Sequence, residues 1–108
     1  MGMDLIYFKE RFDNLVLPFL GPIRMSKKID QRHYAELMAL MDELIAARDE
    51  FEQFPRDLAG ELWFIFTTML AEADHARDPE SILMPAWNYE EKLVRFFGPR
   101  FYDVPNPQ

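Results

Sequence analysis

The sequence predicts an all-α fold, a bundle of about four helices packed mostly antiparallel. Three observations predict it. Apolar residues recur at intervals of three and four along most of the chain and nowhere alternate with polar ones over a useful length. Prolines and glycines cut these periodic stretches into four. The connections are short, which favours antiparallel packing of sequence neighbours. With 108 residues, 49% hydrophobic and 15% aromatic, the whole of 1–108 reads as a single domain with material for one core.

The first helix starts near Asp4 and carries Leu5, Phe8, Phe12 and Leu15 on one stripe. Pro18, Gly21 and Pro22 are expected to end it in a turn, followed by an irregular stretch through Ile23 and Met25. The second helix begins at Ser26 or Asp30, both suitable caps. Its apolar face runs from Tyr34 through Leu37, Met41 and Leu44 to Phe51. Glu36, Glu43 and Glu50 recur every seven residues on the other side. Phe54–Pro55 closes it, with Pro55 in the first turn of the third helix.

That third helix has a core face of Leu58, Leu62, Ile65, Phe66 and Met69. Its middle is apolar on nearly all sides. Phe64 falls opposite Leu62 and Phe66, flanked by Gly60, Thr67, Thr68 and Ala71. Such a helix is either central in its bundle or covered by a partner. Asp78–Pro79 opens the fourth helix, which Pro85 is expected to kink or split. Gly98–Pro99 stops it. Residues 99–108 form an irregular C-terminal arm, with Phe101, Tyr102 and Val104 available to pin it to the bundle.

Composition removes several classes of function. With no cysteine there are no disulfides, thiolate metal sites or cysteine nucleophiles. No signal peptide and no membrane-spanning run is apparent, so a cytoplasmic setting is expected. The four glycines stand singly and form no phosphate loop. Neither Ser26 nor Ser81 lies in a nucleophile-elbow context. The expectation is a protein that is not an enzyme and carries no cofactor.

Charge is unevenly placed. The chain has 19 acidic and 12 basic residues, a net of −7. Residues 24–32 hold Arg24, Lys27, Lys28 and Arg32 against Asp30. Residues 33–91 hold 14 acids against Arg48, Arg56 and Arg77. Such a body repels nucleic acid, which needs a basic footprint. A basic protein is the natural counterpart.

Two readings from different classes follow. The first is a small acidic protein-binding module of antagonist, immunity-like or adaptor type. Its contact residues are Gly60, Phe64, Thr67, Thr68 and Ala71, with Glu43 and Glu50 supplying charge. Its partner is a basic protein or a second copy of the chain. In composition the chain is similar to immunity proteins and toxin antagonists as a class, although no motif identifies a family. The second reading rests on Asp30-x-x-His33 and Glu72-x-x-His75, an acid three residues before a histidine, on one helix face. Di-iron carboxylate bundles use this spacing, with glutamate where this chain has Asp30. If helices two and three form a hairpin turning at Phe54–Pro55, His33, His75, Glu36 and Glu72 reach one level and offer a divalent-metal site at its open end. Helix-end electrostatics accounts for the same residues and is the favoured reading of them.

Overall fold

Two prolines expected in a turn lie inside the first helix. The computed structural model describes residues 3–98, and α1 (Met3–Ser26) runs through Pro18 and Pro22. A proline inside a helix removes a backbone hydrogen bond and costs about 3 kcal/mol. These two stand four apart on the outward side, Pro18 exposed and Pro22 half-buried. The carbonyls they deprive of a donor belong to the exposed Asn14 and Pro18, where water can serve instead. On the other side Leu15, Phe19, Leu20 and Ile23 are buried. Burying such side chains is worth about 1.5–3 kcal/mol each, which outweighs the two prolines. Ile23, expected in an irregular stretch, is therefore core. The helix stops where Lys27 takes the left-handed conformation, φ 55, a common device at helix ends.

Of the two candidate caps for α2 (Gln31–Ala46), Asp30 is the one used. Its Oδ1 accepts from the backbone N–H of Arg32 at 3.1 Å and of His33 at 3.2 Å. Asp30→Ala leaves those donors without a partner. It should lower the melting temperature by about 5 °C, read by circular dichroism. The helix ends sooner than the apolar periodicity suggests. A short 3-10 helix (Arg48–Glu50) follows, and Phe51 lies outside both.

α3 (Arg56–Ala73) and α4 (Glu80–Phe97) complete the set. Pro85 does not split α4, which is continuous across it, and the Pro85 carbonyl accepts from the Tyr34 hydroxyl at 2.9 Å. Gly98 ends α4 with φ 92, a conformation only glycine takes freely. The described residues contain no strand, and no helix among them is long and apolar enough to cross a membrane. The arm expected over residues 99–108 lies outside the described residues.

Side-chain bridges give the helix directions. Lys27 meets Glu72 at 2.7 Å, joining the ends of α1 and α3, while Lys9 and Glu61 join their starts at 3.9 Å. Tyr34 joins the starts of α2 and α4, and Lys92–Asp42, at 2.6 Å, joins their ends. So α1 runs parallel to α3 and α2 parallel to α4. The sequence neighbours α1/α2 and α3/α4 pack antiparallel. The extensive helix contacts are these four.

The hairpin expected of helices two and three is therefore corrected. They occupy a diagonal of the bundle, and residues 47–55 cross its end to connect them. Aromatic residues roof that crossing: Phe8–Phe51 at 6.2 Å, Phe51–Phe54 at 6.1 Å and Phe54–Phe96 at 4.8 Å between ring centroids. A connection that spans a bundle end must bury apolar side chains to stay down, and these rings do so.

The core is one cluster drawn from all four helices, including Phe12, Leu37, Leu62 and Tyr89. The Tyr89 hydroxyl is buried and donates to the Leu62 carbonyl at 2.8 Å, tying α4 to α3. Met41 and Met69 are core and Met38 is half-buried, while Met84 is exposed.

Candidate interaction face

The parallel seam between α1 and α3 gathers most of the unusual surface. Lys9, Asp13, Leu17 and Arg24 lie within about 40° of one line along α1, and that line faces α3. Lys9 Nζ is 2.8 Å from Asp13 Oδ1 and 3.9 Å from Glu61 Oε1. Farther along, the Arg24 guanidinium stacks over the Phe64 ring, 5.7 Å from its centroid. Leu17, one turn beyond Asp13, is 77% exposed and Phe64 is 45% exposed. Gly60, Thr67 and Ala71 flank Phe64 and are also exposed.

At the start of the seam a cavity of about 280 Å³ is lined by Leu5, Ile6, Lys9, Glu10, Pro55 and Asp57. Ile6 is 66% exposed at its rim. Three carboxyl groups, of Asp13, Asp57 and Glu61, act on the ammonium of Lys9, and Glu10 shares the cavity wall.

Within that group the Asp13 and Glu61 carboxyls are hydrogen-bonded to one another. Burial comes first in raising the Glu61 carboxyl, and its hydrogen bond to Asp13 adds to this; together they push its pKa up to about 7. The Asp13 carboxyl is held below its usual value by Lys9 first and by Glu61 second. The protonated Glu61 carboxyl donates to the Asp13 carboxylate. Its Oε1 is buried without a hydrogen-bond partner, which an ionised oxygen would not tolerate well.

The other residues singled out in the sequence go elsewhere. Thr68 is buried because it lies on the Glu61 side of α3, turned toward α1. Glu43 sits on the α1/α2 seam, across α1 from Phe64, and accepts from the Tyr7 hydroxyl at 2.7 Å. Arg11 in turn donates to that hydroxyl at 2.6 Å. Glu50 is exposed in the 3-10 helix. Neither acid joins the α3 face.

The expected metal ligands are not assembled. His33 and His75 do reach the same end of the bundle, as their spacing predicts. Yet their helices stand on the diagonal, about 13 Å apart by ordinary packing distances. His33 Nδ1 lies 3.0 Å from Asp30 Oδ2, off the axis a hydrogen bond needs. Glu36 faces Arg32 at 3.7 Å, and Glu72 is bound to Lys27. Among the described residues no three histidine, aspartate or glutamate side chains converge as a metal ion requires.

Leu17 and the Asp13–Glu61 pair were not among the residues the sequence singled out. A signal existed for Leu17, which falls opposite Leu15 on the helical wheel and so off the core stripe. None existed for the pair, since 48 positions separate the two acids. Compared with known proteins, the chain matches no family model, no curated protein and no solved structure.

Proposed function

We propose that the chain is a non-enzymatic, cytoplasmic protein-binding module that docks a basic partner along the α1/α3 seam. The observation that carries this is the order of features on one seam. The cavity beside Ile6, with Glu10 and Asp57 in its wall, comes first, then Asp13 and Glu61 around Lys9, then exposed Leu17 and Phe64. A partner segment with apolar residues spaced between lysines or arginines matches that order. Its apolar side chains would cover Ile6, Leu17 and Phe64, and its cations would meet Glu10 and Asp57. Fully covered aromatic anchors dominate binding energy at such contacts, while flanking charges speed encounter.

The test places a photo-crosslinking amino acid at position 64 in the native cell, with a second variant carrying it at the exposed position 87 on α4. The expected result is an adduct specific to position 64 whose partner carries a basic segment. Phe64→Asp, alone or with Leu17→Asp, should then weaken that complex at least tenfold in titration calorimetry. Both positions are exposed, so the melting temperature should stay within a few degrees. Adducts only with a second copy of the chain would replace the basic partner by a homodimer. The same adducts from both positions, or none, would overturn the reading.

A further inference from the structure

A second cavity, of about 620 Å³, opens at the end of the bundle where the α1–α2 and α3–α4 connections meet. Lys27, Lys28 and Ile29 line it from the first connection; His75, Ala76 and Arg77 line it from the second. Its size lies within the range of about 300–1,000 Å³ typical of small-molecule sites. It lies apart from the seam surface at Leu17 and Phe64, and neither residue lines it.

The charges here run against the rest of the molecule. The chain as a whole is at −7, and residues 33–91 contain only three bases. Acids therefore outnumber bases almost everywhere a cation could seek one. Yet among the described residues neither Lys28 nor Arg77 makes an ion pair. Both are exposed, and both stand at this cavity. Asp78 is the one carboxylate in the lining. Lys27 is already engaged, bound to Glu72 at 2.7 Å and donating to the Arg24 carbonyl at 2.9 Å. It contributes its aliphatic stem to the wall.

Two further features favour an anion. α4 begins at the cavity, and no side chain caps its first turn. The Ser81 hydroxyl there is turned back to the Asp78 carbonyl at 2.7 Å. The first-turn N–H groups of Ser81 and Ile82 are bonded back to the carbonyls of Asp78 and Pro79, at 3.1 and 3.0 Å, so the helix start contributes its dipole beside Arg77 rather than these donors. Ile29, Ala76 and the lysine stem supply an apolar floor.

We propose that this cavity binds a small organic anion, a phosphate or carboxylate head held by Lys28 and Arg77 on an apolar body seated against Ile29 and Ala76. The proposal is independent of the docking face.

The test titrates the full-length, ¹⁵N-labelled chain with phenyl phosphate, benzoate and neutral phenol. Saturable amide shifts are expected at residues 26–31 and 75–82 with at least one of the two anions and not with phenol. Phenyl phosphate alone would identify a phosphate head, and benzoate alone a carboxylate head. The Lys28→Glu/Arg77→Glu double variant should bind at least tenfold more weakly, with its helical circular dichroism unchanged. The Lys28→Arg/Arg77→Lys variant, which keeps both charges, should retain binding within about threefold. The absence of saturation with both anions would overturn the proposal. So would equal shifts with phenol, or undiminished binding by the charge-reversed variant.

Discussion

Tyr89→Ala should destabilise the protein by about 4 kcal/mol, measured by urea unfolding. Tyr89 is fully buried at the α3/α4 contact, and its ring fills space that no neighbour can close. Truncation removes apolar burial and leaves a cavity, and the cost of the cavity adds to the loss of transfer energy. Tyr89→Phe separates the ring from the hydroxyl. It keeps the packing and loses one hydrogen bond to the Leu62 carbonyl, which should cost about 1 kcal/mol. A near-equal loss in both variants would mean that the hydroxyl, rather than the ring, holds α4 to α3.

Glu61→Gln should stabilise the protein by about 1–2 kcal/mol at about pH 8 and change little near pH 4.5. The folded Glu61 titrates at about 7, above the ordinary glutamate value of 4.5. Between those values the folded chain keeps a proton that the unfolded chain has released. Stability from this group therefore falls as pH rises through the window and is lowest above 7. Asp13 acts in the opposite sense. Its lowered carboxyl contributes stability above the ordinary aspartate value of 3.8, and that contribution is lost as pH falls further. The contribution of these two groups together is greatest between about pH 4 and 5. The energy expected is smaller than the whole rise at Glu61 would give, because its side chain keeps 18% exposure and water screens the charges around it. Glutamine keeps a donor for the Asp13 carboxylate and cannot ionise. Urea midpoints of both proteins across the range from about pH 4.5 to 8 would check this, and parallel curves would overturn the raised Glu61 carboxyl.

Periodicity alone is enough to read the four helices. The stripes at Leu37–Leu44 and Leu58–Met69 predict both the existence of α2 and α3 and their buried faces. Asp30 and Gly98 work locally, through a few backbone groups, so the chain declares them directly, while Pro55 stands just before α3 rather than in its first turn. Pro18 and Pro22 point the wrong way at α1. Their local preference for a turn is real, but it competes with four buried side chains whose burial the local sequence does not register.

Helix order around the bundle is not legible in the same way. A nine-residue link, residues 47–55, permits either a tight hairpin or a diagonal crossing. The choice rests on where Phe51 and Phe54 find cover against Phe8 and Phe96. That choice separates His33 from His75 laterally while leaving them level, which dissolves the metal cluster the spacing suggested. It also sends Glu43 to Tyr7, away from Phe64.

The sequence by itself determined the all-helical class, the membership of most of the core and the surplus apolar side of the third helix at Phe64. Each follows from properties of one segment, namely side-chain period, capping and backbone freedom. Tertiary structure alone decided that α1 lies parallel to α3. With that came the pairing of Asp13 with Glu61 and the meeting of Lys28 with Arg77 at one cavity. These depend on distances between residues far apart in the chain, which are set when the whole core closes at once.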